Sequence, residues 1–178
     1  MSSAELAERR QHANRVLVVD DNEDAGLLLS KLFRRDGYEV GVLADHQAAI
    51  EILSNEAHPI GAVVVSFTTL GTGACLRLLD MIRHNPDPKV NQLRVLLVSE
   101  QPRQQIFCLQ AGADAIVLRP YRSDQILRVL RDMVDRPDGD RVAYRRAAIA
   151  ELKDSMVRDT ESAATQSGPG PDPVLTRS

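Results

Sequence analysis

A chain of 178 residues is long enough for one domain with a sizeable core and some surplus. Its 43% hydrophobic and 26% charged residues are ordinary for a soluble globular protein, and a net charge of −3 excludes a global pull toward nucleic acid or anionic membrane. The N-terminal MSSAELAERRQHANR has no apolar core and so is not a secretory signal. No apolar run approaches the ~18 residues of a bilayer span, and two cysteines, Cys75 and Cys108, with no CxxC pair fit a reducing cytoplasm.

In chain order, short β-branched runs alternate with longer helical patterns. RVLVVD (15–20) reads as the first strand. Asp21 and Asn22 are placed to cap a helix reaching about Arg35, with Ala25, Leu28, Leu29, Leu32 and Phe33 inward and Gly37 as its stop. YEVGVLA (38–44) is the second strand, and a helix follows over about 47–55, with Ala49, Ile50 and Leu53 inward. IGAVVVSF, after Pro59, is the third strand, and the glycine-punctuated TTLGTG (68–73) is a loop. A helix is expected over about 74–83, and HNPDPKVN (84–91) reads as a loop because of its prolines. LRVLLVS (93–99) is the fourth strand. The fourth long helix begins after Pro102 and stops at Gly112, AIVLR is the fifth strand, and the fifth long helix spans about 123–135.

Strands that are nearly continuous apolar runs, each followed by a helix, predict a doubly wound α/β domain with a parallel sheet covered on both faces. Ligands of such sheets sit at the carboxyl ends of the strands. Those ends are Asp20/Asp21, Ser66, Ser99 and Arg119, the one constellation in the sequence suited to chemistry. After RPDGD (136–140) the chain turns alanine-rich and helical to about 164, with Val142, Ile149, Leu152 and Met156 in a narrow apolar stripe. That helix is expected to dock on its own domain, to make a homodimer or to bind a partner. Residues 165–178 are rich in Pro and Gly and read as a disordered tail. The expected organisation is an N-terminal arm over 1–13, a domain over 14–136, a helical extension over 137–164 and that tail.

Three groups of residues then carry a resemblance. VLVVDDNED (16–24), DHQAAIEIL (45–53) and LQAGADAIVLRPY (109–121) are similar to the opening strand with its acidic pair, the second helix and the fifth-strand signature of the receiver domain of two-component response regulators. The acidic pair together with AGAD…RPY is specific, and the resemblance covers roughly residues 14–136. It implies a flavodoxin-like fold with strand order 2-1-3-4-5 and a cis bond before Pro120. A working receiver takes phosphate on an aspartate at the end of the third strand, and needs paired acids for Mg²⁺, a hydroxyl on strand four, a lysine and a switch aromatic.

Carried onto this chain, Asp20 and Asp21 match the acidic pair and Ser99 the hydroxyl, but the acceptor falls on Ser66, the lysine on Arg119 and the switch aromatic on Ile116. No Asp or Glu lies between Glu56 and Asp80 to stand in by a shifted register. An alcohol forms no acyl phosphate and is a poor nucleophile without a base. With two carboxylates and one arginine the pocket carries a charge of about −1, so Asp20 and Asp21 are at most a vestigial, weak Mg²⁺ site, and the Arg119 fork is expected to pair with one of them in the cation's place. The resulting expectation is a pseudo-receiver: no enzyme, no cofactor, no direct nucleic-acid or membrane contact. It would act in the cytoplasm by binding a signalling protein, a kinase or a regulator, through the face spanning about 102–135. An active single-domain regulator with an unusual acceptor, or a small flavodoxin-like enzyme, are the alternatives. RVAYRR (141–146) reads as a solvated helix face. Cys75 and Cys108 read as packing residues, and His12, His46, His58 and His84 form no metal set.

Overall fold

In the computed structural model, residues 14–54, 60–66 and 72–166 are described. The chain alternates β1 (Arg15–Asp20), α1 (Glu23–Arg35), β2 (Glu39–Leu43), α2 (His46–Leu53), β3 (Ala62–Ser66), α3 (Thr72–Arg83), a one-turn α4 (Pro88–Asn91), β4 (Arg94–Ser99), α5 (Gln105–Gln110, entered through a 3₁₀ turn at Pro102–Gln104), β5 (Ala115–Leu118) and α6 (Ser123–Asp135). A second 3₁₀ turn, Asp138–Asp140, leads into the long α7 (Arg141–Gln166). All strand pairs are parallel, in the order β2-β1-β3-β4-β5, as the resemblance implies.

The valine runs have a direct reason. Successive strand residues point to opposite faces, and both faces of this sheet are covered. Leu17, Val19, Val63, Val65, Val95 and Leu97 pack on one side with Leu78, Leu79 and Ile82 of α3. Val16, Val18, Val64, Leu96 and Val98 pack on the other with Phe33 of α1 and Ile126, Leu130 and Met133 of α6. Each such side chain contributes about 1.5–3 kcal/mol by leaving water, so no position in the central strands is free to be polar until the strand ends.

Local signals explain the helix ends. The Asn22 side chain accepts from Ala25 N and caps α1. At its other end Gly37, at φ +96°, lets Gly37 N reach Arg34 O and Tyr38 N reach Phe33 O, which satisfies the last carbonyls. The Arg119–Pro120 bond is cis.

Several expectations need correction. HNPDPKVN is not all loop: Pro88 opens a helical turn at the position where its missing N–H costs nothing, and Asp87 caps it through Lys89 N at 2.9 Å. α2 ends at Leu53, short of residue 55, and α7 continues to Gln166, past the boundary read at 164. The arm over 1–13, most of the loop after Ser66, and 167–178 of the tail lie outside the described residues.

The stripe on the last helix also divides. Ile149 and Leu152 are half-buried, while Val142 and Met156 are about half exposed, at 49% and 53%. An α-helix advances 3.6 residues per turn, so a strict heptad pattern drifts around it. The side that meets α5 instead carries Ala148, Leu152 and Ser155.

Candidate functional site: the carboxyl ends of the strands

The sheet brings the predicted constellation together. Parallel pairing sets Asp20 directly beside Ser66, and β4 ends alongside β5 with Ser99 opposite Leu118, one residue before Arg119. Asp20, Ser66 and Ser99 are all buried, at 1%, 0% and 0% exposure. Asp21 is exposed on the rim and lines a shallow depression with Asn22, Glu23 and Asp24. The two acids therefore differ in kind: one is sealed in the pocket and the other faces solvent.

Arg119 closes the pocket. Its Nη2 donates to Ser66 Oγ at 2.5 Å and lies 3.4 Å from Asp20 Oδ2. Its Nη1 is 3.7 Å from Glu100 Oε1. The second oxygen of Asp20 accepts from Asn22 N at 2.9 Å, at the start of α1. Gly26 lets that helix end come so close: a Cβ there would stand 3.3 Å from Asp20 Cβ and 3.1 Å from Val42 Cγ1. Ser99 Oγ is used locally, accepting from Gln101 N at 2.9 Å. Tyr121 sits beside Arg119, and burial pushes its phenol above the ordinary range while the neighbouring guanidinium opposes the shift.

This donor set does not match a Mg²⁺ site. Mg²⁺ takes hard oxygens in near-octahedral geometry and favours carboxylates. Here the third-strand position supplies a hydroxyl that already accepts from a guanidinium, and both oxygens of Asp20 have partners. Among the described residues no group of three or more His, Cys, Asp and Glu side chains is gathered as a metal would need.

Ile116 lies outside this pocket. It is half-buried, packs against the α3 side of the core, and lines a cleft under α7. Cys75 and Cys108 are buried, and burial pushes both thiols above their ordinary range, which suits packing rather than reactivity. His84 pairs with Asp80 one turn away on the surface, and His46 opens α2; His12 and His58 lie outside the described residues.

Two participants were not legible in advance. Glu100 lies just past the strand pattern, which stops at Ser99, and nothing in its neighbours points to Arg119. Asp114, inside the fifth-strand signature, is buried at the opposite, amino-terminal end of the sheet. It accepts from Val95 N at 2.9 Å, from Arg83 Nη2 at 2.9 Å, and from Arg141 Nε and Nη2 at 2.9 and 2.8 Å. Burial lowers the Arg83 guanidinium to about 10, against the pull of Asp114. A buried charge needs partners, and for an aspartate this deep they are two arginines and a backbone N–H. Nothing local in the sequence said which ones.

The model of the response regulator receiver domain matches residues 16–131. The chain belongs to that family. It is 27% identical over 121 residues to the two-component response regulator ORR7 of Oryza sativa subsp. japonica, covering 67% of this chain and 56% of the relative. It is 21% identical over 141 residues to the transcriptional regulatory protein YxdJ of Bacillus subtilis, covering 78% and 58%. The chain thus spans little more than half the length of these relatives. Among solved structures, a response regulator from Chloroflexus aurantiacus superposes with a TM-score of 0.60 at 21% identity, covering 69% of this chain and 98% of that one. One from Thermotoga maritima gives 0.57 at 23%, covering 68% and 98%. These likenesses support the fold. The chain is therefore a receiver domain of signal transduction, and among its described residues no helix is long and apolar enough to cross a membrane.

Proposed function

We propose that this chain is a receiver that works without accepting phosphate, as a protein–protein interaction module in a two-component pathway. The observation that carries the reading is the Arg119–Ser66 contact: the side chain at the acceptor position is a fully buried hydroxyl bonded at 2.5 Å to a guanidinium. A serine becomes a nucleophile when a base removes its proton. Arg119 is always charged and has no lone pair to offer, and it places positive charge where a base would have to stand. The Asp20 carboxylate is shared between that guanidinium and a backbone N–H.

The same arrangement supports reading Arg119 as the occupant of the cation's place. A planar fork between Ser66, Asp20 and Glu100 neutralises the pocket from within the chain. Asp20 and Asp21 then hold Mg²⁺ weakly or not at all, and the pocket is structural. The working surface is the contact face over about 102–135, its partner a kinase or another regulator, and no catalytic step is assigned to any residue.

The test is exposure of the full chain to acetyl phosphate or beryllofluoride with excess Mg²⁺, followed by intact-mass spectrometry and amide chemical-shift mapping. No adduct and no shift around Asp21 and Ser99 are expected. An acid-labile or base-labile phosphate on any pocket residue would refute the proposal.

A further inference from the structure

α7 is fastened at its root and only laid along the domain above it. Arg141 is its one buried side chain among the described residues, and it is held by Asp114 and by the carbonyls of Gln92 and Leu93. Arg136 stacks over the Tyr144 ring at 3.2 Å and secures the same end. Further along, the contrast with α6 is sharp. α6 buries Ile126, Leu130 and Met133 completely, whereas the docking side of α7, with Ala148, Leu152 and Ser155, reaches only half-burial. Beyond Ser155 every described side chain of α7 is exposed, Met156 at 53% and Val157 at 56%. A cleft of about 310 Å³ remains beneath the shaft, where Leu109 of α5, Ile116 of β5 and Val129 of α6 meet Tyr144, Ala148 and Leu152.

β5 is an edge strand, and edge strands need a cover. The cover here is small-residue, part-buried and loosely packed over an aliphatic groove. We propose that α7 is the chain's own displaceable occupant of the contact face formed by α5, β5 and α6, seated there through Ala148, Leu152 and Ser155. The Arg141 root stays in place while the shaft lifts. A partner helix of the same chemistry competes for the groove, so α7 governs access to this face.

This deepens the interaction-module reading and rests on it for its purpose, though not for its geometry. Phosphate found on the chain would overturn that reading and leave the outcome below unchanged.

The experiment uses the full chain and a fluorescently labelled peptide of residues 144–162, which leaves the Arg141 site to the protein. In the variant A148E/L152E the shaft should lift, seen as faster hydrogen exchange over 105–118 with Arg141 and the core unchanged. That variant should bind the peptide at least about tenfold more tightly than the unaltered chain, by fluorescence anisotropy. Adding Ile116→Glu should abolish the binding while circular dichroism stays native-like. Equal binding to both chains, no binding to A148E/L152E, or exchange over 105–118 that does not change would each overturn the proposal.

Discussion

Arg119 is the side chain that joins Asp20 to Ser66 in the carboxyl-end pocket. Its Nη2 reaches Ser66 and Asp20 together, and its Nη1 lies 3.7 Å from Glu100 Oε1. Arg119→Ala removes the ion-pair partner of a carboxylate that is 1% exposed. Discounted for the partial exposure of Arg119, the cost should be about 1–3 kcal/mol, read from urea midpoints at constant slope. The same variant should bind Mg²⁺ measurably more tightly by titration calorimetry. Unchanged metal affinity would mean that Arg119 does not occupy the cation's place. Ser66→Asp alone should not restore Mg²⁺ binding, because Arg119 would pair with the new carboxylate; S66D/R119K should. The thiols make a separate prediction. Burial raises Cys75 and Cys108, so the folded state holds their protons at a pH where the unfolded chain has released them. Their contribution is complete below the ordinary thiol value and is lost as pH rises above about 8.5. Stability by urea denaturation should therefore begin to fall near about pH 8.5 and go on falling as pH rises further, and C75A/C108A should flatten that fall.

At the scale of elements, caps and packing act where the sequence signals lie. Asn22→Ala should cost about 1 kcal/mol through the lost α1 cap. It should also leave the Asp20–Arg119 contact intact, since Asp20 accepts from the backbone of residue 22. Leu130→Ala, at a fully buried α6 position, should cost about 2–5 kcal/mol. Chemical denaturation checks both. α6 matches its predicted span, 123–135, because its apolar spacing is dictated by one uninterrupted sheet face. The short α4 departs from the expected loop because proline breaks a helix in its interior and not at its start. At the first helical position it is compatible with a helix, and only the neighbouring Asp87 reveals that.

Across the whole molecule, two charge clusters bracket the sheet. One, around Arg119, closes the carboxyl ends; the other, around Asp114, ties α3, β4 and the root of α7 to the amino ends. Asp114→Ala strands two arginines, one of them, Arg141, 6% exposed. The expected loss is about 3–5 kcal/mol. Because Arg141 also binds the carbonyls of Gln92 and Leu93, α7 should remain helical by circular dichroism while its amides exchange faster. If stability changes by less than about 1 kcal/mol, the cluster is not the anchor described here.

The division between sequence and tertiary structure follows from the range of each interaction. Buried strands, helix caps and the Gly37 stop are legible in the sequence, because each is a local demand on one or a few neighbouring residues. The pairing of Arg119 with one of the two acids is expected from charge, but the choice of Asp20, the added contacts to Ser66 and Glu100, the gathering of Arg83 and Arg141 on Asp114, and the side of α7 that meets the domain are not legible there. They join residues far apart in the chain, and only the assembled sheet and its helices set those distances. A charge announces that it needs a partner, and the fold selects which one it receives.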